Sequence, residues 1–400
     1  MTYRPRADNA ILVAASDAPD RIRFAADPFV CDGTDDHTTI NAAIDASLIP
    51  GTPTNRYGGV VLSAGRFSMR GAILIPSRGF SIRGQGFRTE LYAAVGSGSF
   101  SATGEGSEPA LILLAETAAA RNAVEVSISD MFFNCTDGGG ISGIWFDQTS
   151  GGSTASGSEA TYGTPTCASD GDTYHSFSRL RMRAVKHGIG FVGGAGTNTR
   201  GNNVSDVRIN GVGSGGVAGY GYYTDAASDC HFNQCHVITD NVDGSTGFYM
   251  GGGNSRLTGC KAAYFDGTGS YGFDIASSRN SLDAIEAQDC QNGIRITGID
   301  CRITGARVET QVTPCTTAVY VSGDNSHISG LYIHRRGAGS YTNGLYYADT
   351  SDDRVCEAFI DPAGLTNPLR VGADTSVTLA DLGAGKYSIR TLGVGNLVST

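Results

Sequence analysis

The chain has 400 residues, a net charge of −10, only 17% charged residues, 57 glycines and a 40% hydrophobic fraction. An acidic chain of this kind lacks the Lys and Arg needed for general phosphate neutralisation, so no nucleic-acid partner is expected. Glycine without a three-residue period excludes collagen, and the longest apolar stretches fall far short of the roughly 20 residues of a membrane span.

The N-terminus begins Met1-Thr2-Tyr3-Arg4-Pro5-Arg6 with no apolar region behind it, so no signal peptide is expected. Asp32-Gly33-Thr34-Asp35-Asp36 then precedes Thr38–Ala46, which reads as a capped amphipathic helix facing inward with Ile40, Ala43 and Ile44. From residue 58 onward the pattern is of short strands and glycine-rich turns.

A repeat dominates the middle of the chain. Glycine followed by apolar–any–apolar recurs at Gly143-Ile144-Trp145-Phe146, Gly188-Ile189-Gly190-Phe191, Gly221-Tyr222-Tyr223-Thr224, Gly247-Phe248-Tyr249-Met250, Gly272-Phe273-Asp274-Ile275 and Gly293-Ile294-Arg295-Ile296. Ala318-Val319-Tyr320-Val321 and Gly344-Leu345-Tyr346-Tyr347 continue it. A second set interleaves in constant order, with copies such as Phe177-Ser178-Arg179-Leu180, Leu257-Thr258-Gly259-Cys260 and Ile303-Thr304-Gly305-Ala306. Period-two alternation means strands, and a repeat of roughly 25 residues holding two or three of them is one coil of a β-helix. The leucine framework of the rival repeat at this period is absent, and an antiparallel sandwich would not keep the order constant. The fold expected is therefore all-β, a single-stranded right-handed parallel β-helix (solenoid) with an N-terminal capping α-helix that covers an otherwise open strand edge.

The expected organisation is an N-terminal segment with the capping helix at 1–57, the β-helix at 58–355 and a C-terminal β segment at 356–400 for oligomerisation. A Gly/Ser/Thr-rich loop is expected at about 149–174. Several of the ten cysteines fall at inward strand positions, as in Cys235 and Cys260, where they serve as reduced core thiols. No CxxC pair or histidine-rich spacing occurs, so neither metal nor cofactor is expected.

Cys31-Asp32-Gly33-Thr34-Asp35-Asp36, Ile40-Asn41-Ala42-Ala43-Ile44, Gly58-Gly59-Val60-Val61-Leu62 with Gly65-Arg66-Phe67, and Ile82-Arg83-Gly84-Gln85-Gly86 resemble the opening of pectate-lyase-superfamily β-helix proteins. These include bacteriophage tail spikes and polysaccharide depolymerases. The superfamily also holds lyases, hydrolases, epimerases and non-catalytic fibres, so the resemblance speaks to fold before function. It implies that the first repeat set is the sheet facing the substrate groove. It also implies a homotrimer, other virion proteins as partners, and a virion or extracellular location after assembly in the cytoplasm.

On that sheet the outward residues are Trp145, Gly190, Tyr223, Tyr249, Asp274, Arg295, Tyr320 and Tyr346, with Asp147 and Asp225 two positions on. Aromatic rings offer apolar faces to sugars and hydroxyls for hydrogen bonds, so Trp145, Tyr223, Tyr249, Arg295, Tyr320 and Tyr346 are the candidate substrate-binding residues for a polysaccharide or other surface glycan. The same rings serve cross-strand stacking or subunit packing in the competing view. Asp225, Asp274 and Asp147 are the candidate catalytic acids. Strand geometry puts the Cα atoms of Asp225 and Asp274 about 11–12 Å apart, a separation from which side chains reach the carboxylate spacing of an inverting rather than a retaining glycosidase. Solvated surface acids are the alternative. A lyase would use Arg295 to neutralise a uronate.

The second sheet is expected to carry Arg181, Arg208, His236, Lys261, Glu286, Arg307 and Tyr332 outward, with Arg183, Gln288, Glu309 and His334 following. This is a mildly basic stripe suited to solvent, a subunit or an anionic glycan. The functional expectation is a tail-spike-like protein that binds and cleaves a cell-surface polysaccharide, as a glycoside hydrolase first and a polysaccharide lyase second. A non-catalytic virion fibre or decoration protein and a bacterial polysaccharide lyase or hydrolase are its alternatives.

Overall fold

The structure, a computed structural model, describes residues 10–47, 58–75, 79–101, 108–114, 125–147, 174–192, 200–239, 241–311, 314–348, 354–360, 365–371, 377–381 and 386–391. Nearly all of the expected loop at 149–174 lies outside them. The chain divides into two compact units, Met1–Gly216 with Asp225–Ala227, and Val217–Thr224 with Ser228–Thr400. Each is built from coils of a single-stranded right-handed parallel β-helix. Right-handed is the hand that twisted strands impose on parallel crossovers.

In the first unit, Ala10–Val13 pairs in parallel with Gly58–Leu62. The series continues through Phe80–Arg83, Ser127–Asn134 and Ser176–Val185 to Asn203–Val212. The groove sheet of this unit runs Ile73–Ile75, Ala110–Leu114, Ser142–Asp147, Ile189–Val192. The expected helix is present as Asp36–Ser47 and buries Ile40, Ala43 and Ile44. A shorter helix, Asp20–Ala26, was not expected.

The longer helix closes the strand edge with side chains as well as apolar area. The Asn41 amide donates to the Ala72 carbonyl at 2.9 Å, and its oxygen accepts from the Leu74 backbone N–H at 2.9 Å. One side chain thus supplies to the Ile73–Ile75 strand the two bonds that a neighbouring strand would give. The buried Asp36 carboxylate likewise accepts from the backbone N–H groups of Gly33 at 2.8 Å and Ser68 at 2.7 Å. Burial pushes the Asp36 carboxyl upward, and those two bonds oppose the shift.

The second unit repeats with little variation. In the sheet expected to face a groove its strands are Tyr220–Asp225 as far as Thr224, Thr246–Met250, Tyr271–Ile275, Asn292–Ile296, Pro314–Val321, Ser340–Tyr347 and Leu365–Val371. Their registers align Tyr222, Phe248, Phe273, Ile294, Val319 and Leu345 in one inward ladder. The Phe248 and Phe273 rings stack 4.8 Å apart at 6°. Within one coil, Leu257, Cys260, Ala262, Phe265, Phe273 and Ile275 are all buried. Each large apolar side chain among them contributes about 1.5–3 kcal/mol by leaving water. The eight cysteines whose side chains are described are buried thiols. Burial pushes the Cys135 thiol up to about 12, which keeps it protonated. Past the parallel coils, Arg354–Ile360 pairs antiparallel with Lys386–Thr391, which pairs antiparallel with Val377–Asp381.

The second sheet explains why its repeat reads in–out–any–in. Gln234, Gly259, Ala284, Gly305 and Gly330 all have φ between 50° and 64°. This left-handed residue turns the chain between two short strands, so that both flanking apolar residues, such as Leu257 and Cys260, point inward. A β-carbon added at Gly305 would meet no atom nearer than 3.9 Å, so only the backbone conformation resists a side chain there.

Two outcomes are expected. Gly305→Ala lowers the unfolding free energy by about 1 kcal/mol, read as a shift of the urea midpoint, and Ala284→Gly moves the midpoint the other way by less. Asn41→Ala leaves the Ala72 carbonyl and Leu74 N–H without their partner and costs about 1–3 kcal/mol in the same measurement.

Candidate functional site

Hydrogen-bonded pairing in the second unit sets Tyr223 beside Tyr249, Tyr249 beside Asp274, and Asp274 beside Arg295. Arg295 lies beside Tyr320, and Tyr320 beside Tyr346. Six of the candidate residues therefore form one unbroken outward row. Asp225, the last residue of its strand, is exposed.

The polar centre of the row is a closed arrangement. Arg295 Nε lies 2.7 Å from Asp274 Oδ1, and Nη2 lies 2.5 Å from Oδ2. Nη1 donates to the Tyr271 hydroxyl at 3.1 Å, and the guanidinium carbon sits 4.1 Å from the Tyr271 ring centroid. All three guanidinium nitrogens are engaged. The hydrogen-bonded Asp274 carboxylate raises the Arg295 pKa, against the opposing effect of burial. Asp274 itself is only 3% exposed. Bidentate pairs of this kind are strong and directional, and both carboxylate oxygens are committed to the partner.

The rings differ from the sequence expectation in how they present themselves. Tyr223 and Tyr249 stack on one another at 5.0 Å and 14°, with Tyr220 tilted against Tyr223 at 4.6 Å. Tyr320 and Tyr346 meet edge to face at 5.2 Å. One coil separates each pair, close to the ring-contact distance, so Tyr223 and Tyr249 turn faces to each other while Tyr320 and Tyr346 meet edge to face.

In the first unit, Trp145 pairs in register with Gly190, and a β-carbon at Gly190 would stand 2.2 Å from the indole. The missing side chain lets the indole lie across the neighbouring strand. Its ring also meets His187 at 4.9 Å. At the start of these strands, the Glu108 carboxylate receives Lys186 Nζ at 2.6 Å and the Ser142 hydroxyl at 2.5 Å, with His187 Nε2 3.7 Å away. Sequence reasoning did not single out Glu108, Lys186 or His187, which lie at strand approaches with no repeating pattern. Asp147 ends the Ser142–Asp147 strand, and its side chain is outside the described residues.

The second-sheet stripe differs from its sequence appearance at Glu309. Lys261 Nζ contacts Glu286 at 2.8 Å and Gln288 at 2.7 Å. Glu309, expected outward, is 2% exposed; it pairs with Arg307, accepts from Gln311 at 2.5 Å, and has His334 at 3.7 Å and Arg336 at 3.6 Å. Long neighbouring side chains cover it, and of the stripe's bases Lys261 and Arg307 are matched by Glu286 and Glu309.

No family model matches the chain. No curated protein matches it either. Among solved structures, it is similar to ORF18 of Geobacillus virus E2 at 15% identity and a TM-score of 0.46, covering 81% of this chain and 58% of that one. It is similar to the enzymatically active domain of bacteriophage CBA120 tailspike protein 2 at 14% identity and a TM-score of 0.47, covering 91% and 52%. The alginate lyase of a Paenibacillus species is similar at 11% identity and a TM-score of 0.47, covering 83% and 97%. The chain thus spans a little over half the length of the two phage proteins. At these identities the likeness is one of fold alone.

Two measurements test the first-unit surroundings. Trp145 is the single tryptophan, so Gly190→Val, which displaces the indole, is expected to move the fluorescence maximum to the red with circular dichroism unchanged. His175, stacked with Phe177 and Phe191, and His187 are both pushed by burial to about 3 from an ordinary 6.5. Each takes up a proton far more readily unfolded than folded. Their contribution to stability is therefore whole above pH 6.5 and is lost as pH falls from there towards 3. Urea midpoints between pH 7 and 4 are expected to fall, and His175→Phe to flatten the slope.

Proposed function

We propose that the chain is a tail-spike-like protein that binds a cell-surface polysaccharide along the groove sheet and cleaves it. The observation that carries this reading is the unbroken outward row from Tyr223 to Tyr346, with ring hydroxyls beside a fixed Arg–Asp pair on a rigid parallel sheet. Sites built on regular strands hold their geometry better than sites on loops. The outward neighbours Ala276, Thr297, Ser322 and Ala348 are small, and the Tyr249 ring lies against Gly251. Trp145, lying across Gly190, supplies a sugar platform in the first unit.

For cleavage, Asp147 and Asp225 are the proposed acids, in the order glycoside hydrolase before lyase. In the second unit Asp274, the third candidate acid, is a positioning residue that orients Arg295. A homotrimer carried on a virion belongs to the same proposal, with sedimentation mass as its check. The pairing of both Asp274 oxygens with Arg295, and the rings stacked on one another, favour a second reading: a β-helix that binds without cleaving.

The test measures reducing-end release and unsaturated-uronate absorbance on bacterial surface polysaccharides, for wild type, Asp225→Asn and Asp274→Asn. Reducing ends without the absorbance, reduced at least a hundredfold in Asp225→Asn, support the hydrolase. The absorbance alongside reducing ends would replace it with a lyase. Binding without release supports the second reading.

A further inference from the structure

The charge arrangement of the groove face in the second unit selects among glycans, given that this face is the glycan site. Among the described residues of the row, Arg295 is the one cation, and its three nitrogens are spent on Asp274 and Tyr271. An incoming carboxylate or sulfate would have to displace a bidentate carboxylate that is itself 3% exposed and would then be left buried without its partner. The positions beside the row add no positive charge: Tyr220, Tyr271 and Asn292 open their strands, and Ala276, Thr297 and Ser322 follow them.

The turns bordering the face tilt the balance further. The turns that follow these strands carry Asp229, Asp300 and Asp324 against Arg279. The turns that precede them carry Asp243, Asp266 and Asp289 against Arg336, which pairs with Glu309. A polyanion approaching this face meets a net negative border on both sides, within a chain of net charge −10. Like-charge fields of this kind slow encounter and oppose binding, most of all at low salt.

We infer that the face takes an uncharged polysaccharide, recognised through sugar hydroxyls by the phenol hydroxyls of the row, and rejects polyuronates and sulfated or phosphorylated glycans. The ion pair then acts as a neutral, rigid hydrogen-bonding group in the middle of the row, not as an anion clamp.

The test is binding of the full chain to an array of bacterial surface polysaccharides sorted into neutral and anionic sets, at low and high salt. Expected are neutral binders whose affinity changes less than twofold with salt and falls at least tenfold in Tyr249→Ala. Asp274→Asn, which frees the Arg295 guanidinium, is expected to gain anionic binders at low salt. Anionic binders of wild type, weakened by salt and by Arg295→Gln, would overturn the inference while leaving glycan binding by this face intact. Binding that is indifferent to Tyr249→Ala, or no binding across both sets, would remove the glycan reading of the face and the inference with it.

Discussion

Parallel, in-register pairing of one coil on the next is the constraint from which the other features follow. Backbone hydrogen bonds fix neighbouring coils at the inter-strand spacing, so residues at the same place in successive repeats become spatial neighbours. Inward positions must then stack like on like, as Tyr222, Phe248 and Phe273 do. A coil cannot bury its apolar edge alone, and the first coils need a cover. Asn41 and Asp36 provide one by giving strand and turn N–H groups their acceptors from a helix.

The same spacing governs the outer surface and so bears on function. Aromatic residues repeated at one outward position stand at stacking distance, and Tyr223 and Tyr249 use their faces on each other. Opposite charges repeated at that position stand at salt-bridge distance, and Asp274 and Arg295 neutralise each other. On the other sheet, Lys261 and Glu286, in register on neighbouring coils, obey the same rule. A solenoid therefore tends to spend its outward rings and charges on its own neighbours, and what remains for a ligand is mainly hydroxyl groups and shape.

Much of the fold could be read from the residues because the repeat in sequence is the repeat in space. The ladder from Tyr222 to Leu345 and the outward row from Tyr223 to Tyr346 follow from aligning the copies, and the registers match that alignment. The helix appeared within two residues of its ends because Ile40, Ala43 and Ile44 carry its period. Glu108, Lys186 and His187 could not be found this way. Glu108 meets Ser142 across 34 residues and Lys186 across 78, and they lie in irregular approaches where no copy predicts a partner. The cover over Glu309 escaped for a related reason, since Arg336 and Gln311 reach it from outside the strand alternation.

The sequence by itself determined the alternation, the repeat and hence the class of fold, because burying one face of each short strand admits only a stacked arrangement at that period. It also named which side chains share a row. The tertiary structure decided what those side chains do there: that Tyr223 and Tyr249 turn their faces on each other, that Asp274 is buried beneath a fully engaged Arg295, and that Trp145 lies across Gly190. These depend on side-chain direction and on pairing across coils. Both are settled by packing and desolvation between neighbours, and neither is written in the order of residues along one coil.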